Sequence, residues 1–292
     1  MKTSKPDLEL IFLNYNSDFW IEKALTSLQK FYLKKTKLNV VITIVDNASS
    51  DSSLESVAEC CPKGKIIKLD ENLGFAEANN KALALSEARY TMLLNSDVEF
   101  TPGSNLDELV AYMDANPKVA VVTPKLTFFS GKLDPASHRG EPTIWASLTY
   151  FARLEQLFPQ SEKFAQYHQT FKNFNEIHEI DACSGAAFLS RTALYKKVGL
   201  LDEQFFMYAE DLDWCRRFRE AGYKIVFIPN VTIIHHKYKS GIKQSSQSIA
   251  QKTQFHFYNT MLQYYDKHYA KRYPTVIRWL LKYFLALKKG GL

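Results

Sequence analysis

Much of what this chain is not follows from what it lacks. Its 292 residues include four cysteines, Cys60, Cys61, Cys183 and Cys215, and no C-x-x-C pair. That argues against a structural zinc site. Adjacent Cys60 and Cys61 make a poor disulfide framework, so a reducing compartment is expected. Residues 1–13 contain an unbroken apolar run of only four, 10–13, too short for a secretory signal. No stretch approaches the ~20 apolar residues of a spanning helix. Internal repeats, Gly/Ser linkers and low-complexity tracts are absent. Neither G-x-G-x-x-G nor G-x-x-x-x-G-K-[ST] occurs, so dinucleotide and P-loop readings fail on residues. A formal net charge of +6 is too small and too dispersed to argue for nucleic acid. It suits a nucleotide, a lipid phosphate or a membrane surface.

What is present reads as a globular chain long enough to bury a sizeable core. Aromatic residues reach 14%, which fits a stacking pocket or an apolar surface as well as plain core packing. Residues 8–13, 40–45, 65–69, 90–94 and 119–122 read as strands. Helical spacing separates them at 19–31, after residue 51, at 76–88 and at 106–115. Such alternation predicts a mostly parallel sheet with flanking helices, whose ligands bind beyond the carboxyl ends of the strands. Four polar clusters fall there, at residues 14–17, 46–51, 72–74 and 95–97, and are expected to line one rim. Between residues 130 and 180 the alternation fades. Residues 138–142 read as a loop, and 143–158 as an amphipathic, aromatic-rich segment serving as lid, acceptor surface or packing. Residues 180–189 and 224–228 read as two further strands, and 247–292 as mostly helical, with aromatics among lysines and arginines.

Each cluster has a chemical reading beside an ordinary one. Asp46 is placed to read a base or ribose, or simply to cap a turn. Asp97 can ligate a hard cation that neutralises a diphosphate, with Asn95 reaching a ribose and Glu99 as a further oxygen donor. Gly74 permits close backbone approach at a helix start, and Asn79 or Asn80 lies one turn on. Adjacent His235 and His236 point to opposite faces of an extended chain, so one at most faces the site. The densest signal is Phe205-Phe206-Met207-Tyr208-Ala209-Glu210-Asp211-Leu212-Asp213-Trp214-Cys215-Arg216-Arg217, three carboxylates behind an apolar run. Asp213 has Arg216 and Arg217 at i+3 and i+4, an ordinary helical pair. Asp211 has no such cation and shares a helix face with Trp214, Cys215 and Phe218. It is the preferred catalytic base, with Glu210 orienting an acceptor hydroxyl or capping the helix.

As a set, Asn14-Tyr15-Asn16, Val45-Asp46-Asn47-Ala48-Ser49-Ser50-Asp51, Asn72-Leu73-Gly74-Phe75-Ala76, Leu94-Asn95-Ser96-Asp97, Ser184-Gly185-Ala186-Ala187, Glu210-Asp211-Leu212-Asp213 and His235 with Ser240 resemble glycosyltransferase family 2, within it the rhamnosyltransferase-like branch. The resemblance spans roughly residues 8–240. It implies an α/β GT-A fold and transfer, with inversion, from a nucleotide-diphospho-sugar to a saccharide or lipid-linked saccharide acceptor in cell-surface polysaccharide synthesis, with dTDP-rhamnose the first guess at donor. It implies a divalent cation, Mg2+ or Mn2+, with Asp97 and His235 as metal ligands. Donor-binding candidates are Asn14, Asp46, Asn72, Gly74, Asn80, Asn95 and Asp97; catalytic candidates are Asp211 and Glu210. One departure is Asn95, standing where the family's D-x-D motif has its first acid. The expected organisation is a transferase domain over 1–240, divided at 125/126 into a nucleotide-sugar half and an acceptor half, and a basic, aromatic helical extension over 241–292. Residues 275–289 read as a helix for a membrane interface or as a packed helix with a basic face, giving a cytoplasmic protein peripheral on the inner face of the membrane. The rival readings are a non-catalytic sugar-nucleotide or glycan-binding module and a sugar-nucleotide nucleotidyltransferase.

Overall fold

A computed structural model describes residues 5–237 and 247–288; Ser240 and Lys289 lie outside the described residues. In chain order the elements are β1 (Leu8–Asn14), α1 (Asp18–Leu28), β2 (Val40–Asp46), α2 (Ser53–Cys60), β3 (Lys65–Lys68), α3 (Gly74–Leu83), β4 (Tyr90–Asn95), β5 (Val98–Phe100), α4 (Leu106–Ala115), β6 (Val119–Thr127), α5 (Ile144–Phe151), α6 (Leu154–Leu157), β7 (His178–Ile180), β8 (Ala187–Arg191), α7 (Tyr195–Val198), α8 (Glu210–Glu220), β9 (Lys224–His235), α9 (Gln247–His268) and α10 (Thr275–Lys288). Among the described residues one sheet joins nine strands in the order β3-β2-β1-β4-β8-β6-β9-β5, with β7 against β9.

β1 to β4 pair in parallel, with the mostly apolar β1 and β4 buried on both faces and the short β3 at the exposed edge. Their carboxyl ends therefore share one rim. The second half departs from simple alternation. Residues 180–189 are not one strand: β7 and β8 are separate, and β8 inserts antiparallel between β4 and β6. The break at residues 181–186 turns the start of β8 to face the end of β4, where Ala187 opposes Leu94. β5 and the longer course of β9 are also additions to the sequence reading; their pairing sets His235 opposite Val98, next to Asp97.

Two apolar layers cover the sheet, one under α1, α2 and α4, the other under α3, α8 and α9. In α8, Trp214, Cys215 and Phe218 are wholly buried, Trp214 stacked on Phe188 at 5.0 Å. Burial of each large side chain contributes roughly 1.5–3 kcal/mol, enough to seat α8 firmly on the sheet. α9 returns to this helix, where Lys267 and His268 reach Asp213 at 2.6 and 2.7 Å, while the hydroxyls of Tyr264 and of Tyr269, just past α9, donate to Glu141 in the loop at 138–142 at 2.8 and 2.7 Å.

Candidate active site

A cavity of about 1480 Å³ opens where the strand ends, α8 and the C-terminal helices meet. Its polar wall is the rim. Asn72, Gly74, Asn95, Ser96, Asp97 and His235 line it, together with Tyr15, Asn16 and Asn47. Asn14 and Asp46 do not. They sit opposite each other at the ends of β1 and β2, both fully buried, and Asn14 Nδ2 donates to Asp46 Oδ1 at 3.0 Å. Asp46 Oδ2 accepts the Ser49 amide at 3.2 Å. The pair thus lies beneath the wall and holds the loop from which Asn47 reaches it. Asn47 in turn ties down the next loop, accepting the Leu73 amide at 2.8 Å and donating to Asn72 Oδ1 at 2.9 Å.

Asn80 is a clear correction. Its side chain turns away from the cavity to donate to Leu201 O and Glu203 Oε1, both at 2.9 Å. Asn79, next to it, donates to Phe75 O within its own helix. Glu99 is likewise withdrawn from the cavity by Lys23 at 2.8 Å and His236 at 2.7 Å. The alternation of β9 separates the two histidines: His236 goes with Glu99, His235 with Asp97.

His235 is held between two carboxylates. Its Nε2 lies 3.3 Å from Asp97 Oδ1, and its Nδ1 2.8 Å from Asp134 Oδ2. Burial alone would lower the imidazole pKa, but Asp134 and then Asp97 reverse this and raise it to about 9. A carboxylate behind the distal nitrogen is the usual support of a metal-binding histidine, so Asp97 and His235 are the residues that could hold a cation, which would displace the proton that the raised pKa keeps on the ring. A self-contained cage is absent: among the described residues no group of three or more His, Cys, Asp or Glu side chains is arranged to hold a metal.

The opposite wall begins at α8. Tyr208 and Ala209, immediately before it, both have left-handed backbone, with φ of 70° and 64°. Two consecutive non-glycine residues there cost of order 1–3 kcal/mol each, and such strain concentrates at functional sites. The segment leading into this bend packs directly on the rim. Gly74, itself at φ 78°, lies so close that a Cβ would stand 2.3 Å from Phe206 O, and the Phe75 amide donates to that same carbonyl at 2.7 Å. Only glycine admits this approach. The loop at residues 72–75 and the acidic stretch are therefore one assembly.

Glu210 and Asp211 both line the cavity, 5% and 8% exposed. Asp211 is not unpaired. Arg139 Nη2 donates to its Oδ2 at 2.6 Å and also to Cys183 O at 2.8 Å, while the Gly185 amide approaches Oδ2 at 3.3 Å. Glu210 Oε2 is buried with no hydrogen-bond partner. Its carboxyl is pushed well above the usual range, first by burial and then by the adjacent Asp211 charge. Asp213 points elsewhere, to Arg217 at 2.8 Å and to Lys267 and His268 of α9. Arg216 leaves it for Glu141 and Glu220. Sequence reading missed Arg139, Asp134 and Glu141. The first and last sit in the loop at 138–142, whose closely spaced opposite charges were the only signal.

Beyond α8 the cavity is apolar. Three helices present stripes at i, i+3, i+4 and i+7: Ile144, Ser147, Leu148 and Phe151 from α5; Phe257, Thr260, Met261 and Tyr264 from α9; Ile277, Leu280, Leu281 and Phe284 from α10. Phe151 and Phe284 meet edge to face at 5.0 Å. Val276, Trp279 and Tyr283 of α10 face outward, exposed.

With this geometry in hand, the chain can be set beside known proteins. The family model described as Glycosyl transferase family 2 matches residues 10–196. The N-acetylglucosaminyl-diphospho-decaprenol L-rhamnosyltransferase of Mycobacterium tuberculosis is 25% identical, covering 96% of this chain and 91% of its own. Among solved structures, a mannosyltransferase of Pyrobaculum calidifontis in complex with GDP-Man and Mn2+ superposes with a TM-score of 0.58 at 18% identity, over 98% of this chain and 72% of that one. S. aureus TarS superposes with a TM-score of 0.55 at 19% identity, over 85% of this chain and 38% of that one, so the chain spans less than half of TarS. These likenesses show a GT-A fold.

Proposed function

The chain belongs to glycosyl transferase family 2, and from that premise we propose that it transfers a sugar, with inversion, from a nucleotide-diphospho-sugar to a hydroxyl of a lipid-linked saccharide. The observation that carries this reading is that Glu210 and Asp211 open onto the same cavity as Asn95, Asp97 and His235. A base and a diphosphate-side polar wall thus face one enclosed space. Rhamnose is the donor sugar we favour, by likeness to the mycobacterial rhamnosyltransferase, and we place the product in cell-surface polysaccharide synthesis.

In this mechanism Asp211 takes the proton of the acceptor hydroxyl. The freed oxygen bonds to the anomeric carbon from the face opposite the diphosphate, whose bond breaks with its electron pair leaving on the phosphate oxygen. The Arg139 guanidinium and the Gly185 amide orient Asp211 for this step. Glu210, whose carboxyl burial and then the Asp211 charge push towards the neutral form, limits the second negative charge in the site and in that form has a hydrogen bond to give. Asp97 and His235 would hold Mg2+ or Mn2+, which when bound neutralises charge developing on the leaving diphosphate. No helix among the described residues is long and apolar enough to cross a membrane. The outward face of α10, with Trp279 and Tyr283 beside Lys282, suits a membrane interface instead.

The test is a panel of nucleotide sugars with Mg2+ and Mn2+, scored for binding, hydrolysis and transfer, on the wild type and Asp211→Asn. Donor binding is expected to survive the substitution while transfer falls by several orders of magnitude. Retained turnover in Asp211→Asn would sink the base assignment. Donor binding without turnover in the wild type would favour a sugar-nucleotide-binding module.

A further inference from the structure

The cavity is larger than its polar chemistry needs. Sites for small molecules run to about 300–1,000 Å³, and this one reaches about 1480 Å³. The additional space is walled by α5, α9 and α10, not by strand ends. From α5 come Ile144, Leu148 and Phe151, and from α10 Ile277, Leu281 and Phe284, each set at helical spacing along one face. Two helices that packed only against each other would bury those faces mutually. Here Phe151 and Phe284 touch, yet both stripes still line open space.

We infer that this apolar arm between α5 and α10 binds the hydrocarbon chain of the acceptor, threading it from the catalytic carboxylates to the protein's surface. Three observations support a chain as occupant. The arm is continuous with the space at Glu210 and Asp211, so whatever fills it is joined to the group presented to the base. Its wall is mostly aliphatic and aromatic, with hydroxyls only at Ser147 and Tyr150 of α5 and at Thr260, Tyr264 and Tyr265 of α9, so a largely apolar ligand matches it. It leads to exposed apolar side chains on the same helices, Leu148 at 58% and Leu280 at 59%, with Trp279 beyond. A chain can therefore leave the protein along an apolar path towards a lipid surface. The inference deepens the proposed transfer to a lipid-linked saccharide and rests on it for the identity of the head group.

The test uses farnesyl diphosphate and inorganic diphosphate as probes, below the micellar range, on the full chain. Affinities come from isothermal titration, with fluorescence of Trp145 on α5 and Trp279 on α10 as a second readout. The wild type is expected to bind farnesyl diphosphate at least tenfold more tightly than inorganic diphosphate. Leu148→Glu and Leu280→Glu, at exposed positions that tolerate charge, should shrink that ratio below threefold. Leu85→Glu, at an exposed apolar position outside the cavity, should leave it intact. Equal affinity of the wild type for both probes would overturn the inference, as would an unchanged ratio in both cavity variants. Donor hydrolysis measured on the same samples separates the two claims. Its absence counts against glycosyl transfer, whereas the probe ratio bears on the arm alone.

Discussion

Replacing Arg139 with methionine removes the cation from the most consequential ion pair in the molecule. Arg139 and Asp211 side chains are only 10% and 12% exposed, and the pair is 2.6 Å apart. Leaving one member of a buried pair without its partner typically costs about 3–5 kcal/mol. Here the orphaned carboxylate would adjoin Glu210, and Cys183 O would lose its donor as well. For a chain of this length the loss corresponds to a fall in Tm on the order of 10 °C. The discriminating measurement is a double-mutant cycle in urea. Asp211→Asn removes the charge that Arg139 answers, so Arg139→Met should cost much less in that background, with a coupling of about 2 kcal/mol. Additivity to within about 0.5 kcal/mol would refute the claim that Arg139 is there for Asp211. Arg139→Lys makes a useful companion: it keeps the charge but loses the fork that reaches both acceptors, and should fall between the two.

Two further predictions concern the supports of the acidic stretch. Gly74→Ala should destabilise by roughly 1–3 kcal/mol, because its Cβ would meet Phe206 O at 2.3 Å and its φ is 78°; thermal denaturation and transfer should fall together, and a variant matching the wild type in both would show that the contact does not shape residues 205–209. Asp213 carries a pH dependence. Burial raises its pKa, but His268, Arg217 and Lys267 outweigh that and bring it from 3.8 down to about 2. A depressed carboxyl stabilises above its unfolded pKa and loses that contribution as pH falls through the folded value, a difference of roughly 2 kcal/mol. Asp213→Asn should therefore be destabilised at pH 7 by that order, with the gap to the wild type closing between about pH 4 and pH 2 in urea titrations. A gap constant with pH would contradict this account.

The rim was legible in the sequence for a simple reason. Strands buried on both faces are written as unbroken apolar runs, and the polar residues that end them must then sit together on one edge. What stayed hidden was contact between distant segments. Arg139 lies 72 residues before Asp211, inside a stretch whose pattern reads as loop, so an aspartate without cations at i+3 and i+4 looked unpaired. The insertion of β8 was masked because residues 180–189 are mostly apolar, interrupted by Asp181 and the Ser184-Gly185 turn. On α3, two consecutive asparagines cannot both face one site, and helical spacing alone did not reveal that Asn80 looks towards Leu201 and Glu203. The stripes of α5 and α10 were visible as amphipathic segments, but nothing in either segment says that the other faces it.

The same long-range contacts explain how two adjacent carboxyls come to have different properties. Glu210 and Asp211 open the same helix, where its dipole favours negative charge on both. Chain position therefore cannot distinguish them; environment does. Asp211 receives a guanidinium from one loop and an amide from another, while Glu210 is buried beside that anion with an oxygen left unanswered. Asp211 is thereby paired and oriented, and Glu210 is pushed towards its neutral form, a division that lets a crowded acidic site carry out a single proton transfer. Because Arg139 also lines the cavity, an acceptor that reaches Asp211 must share it with that guanidinium.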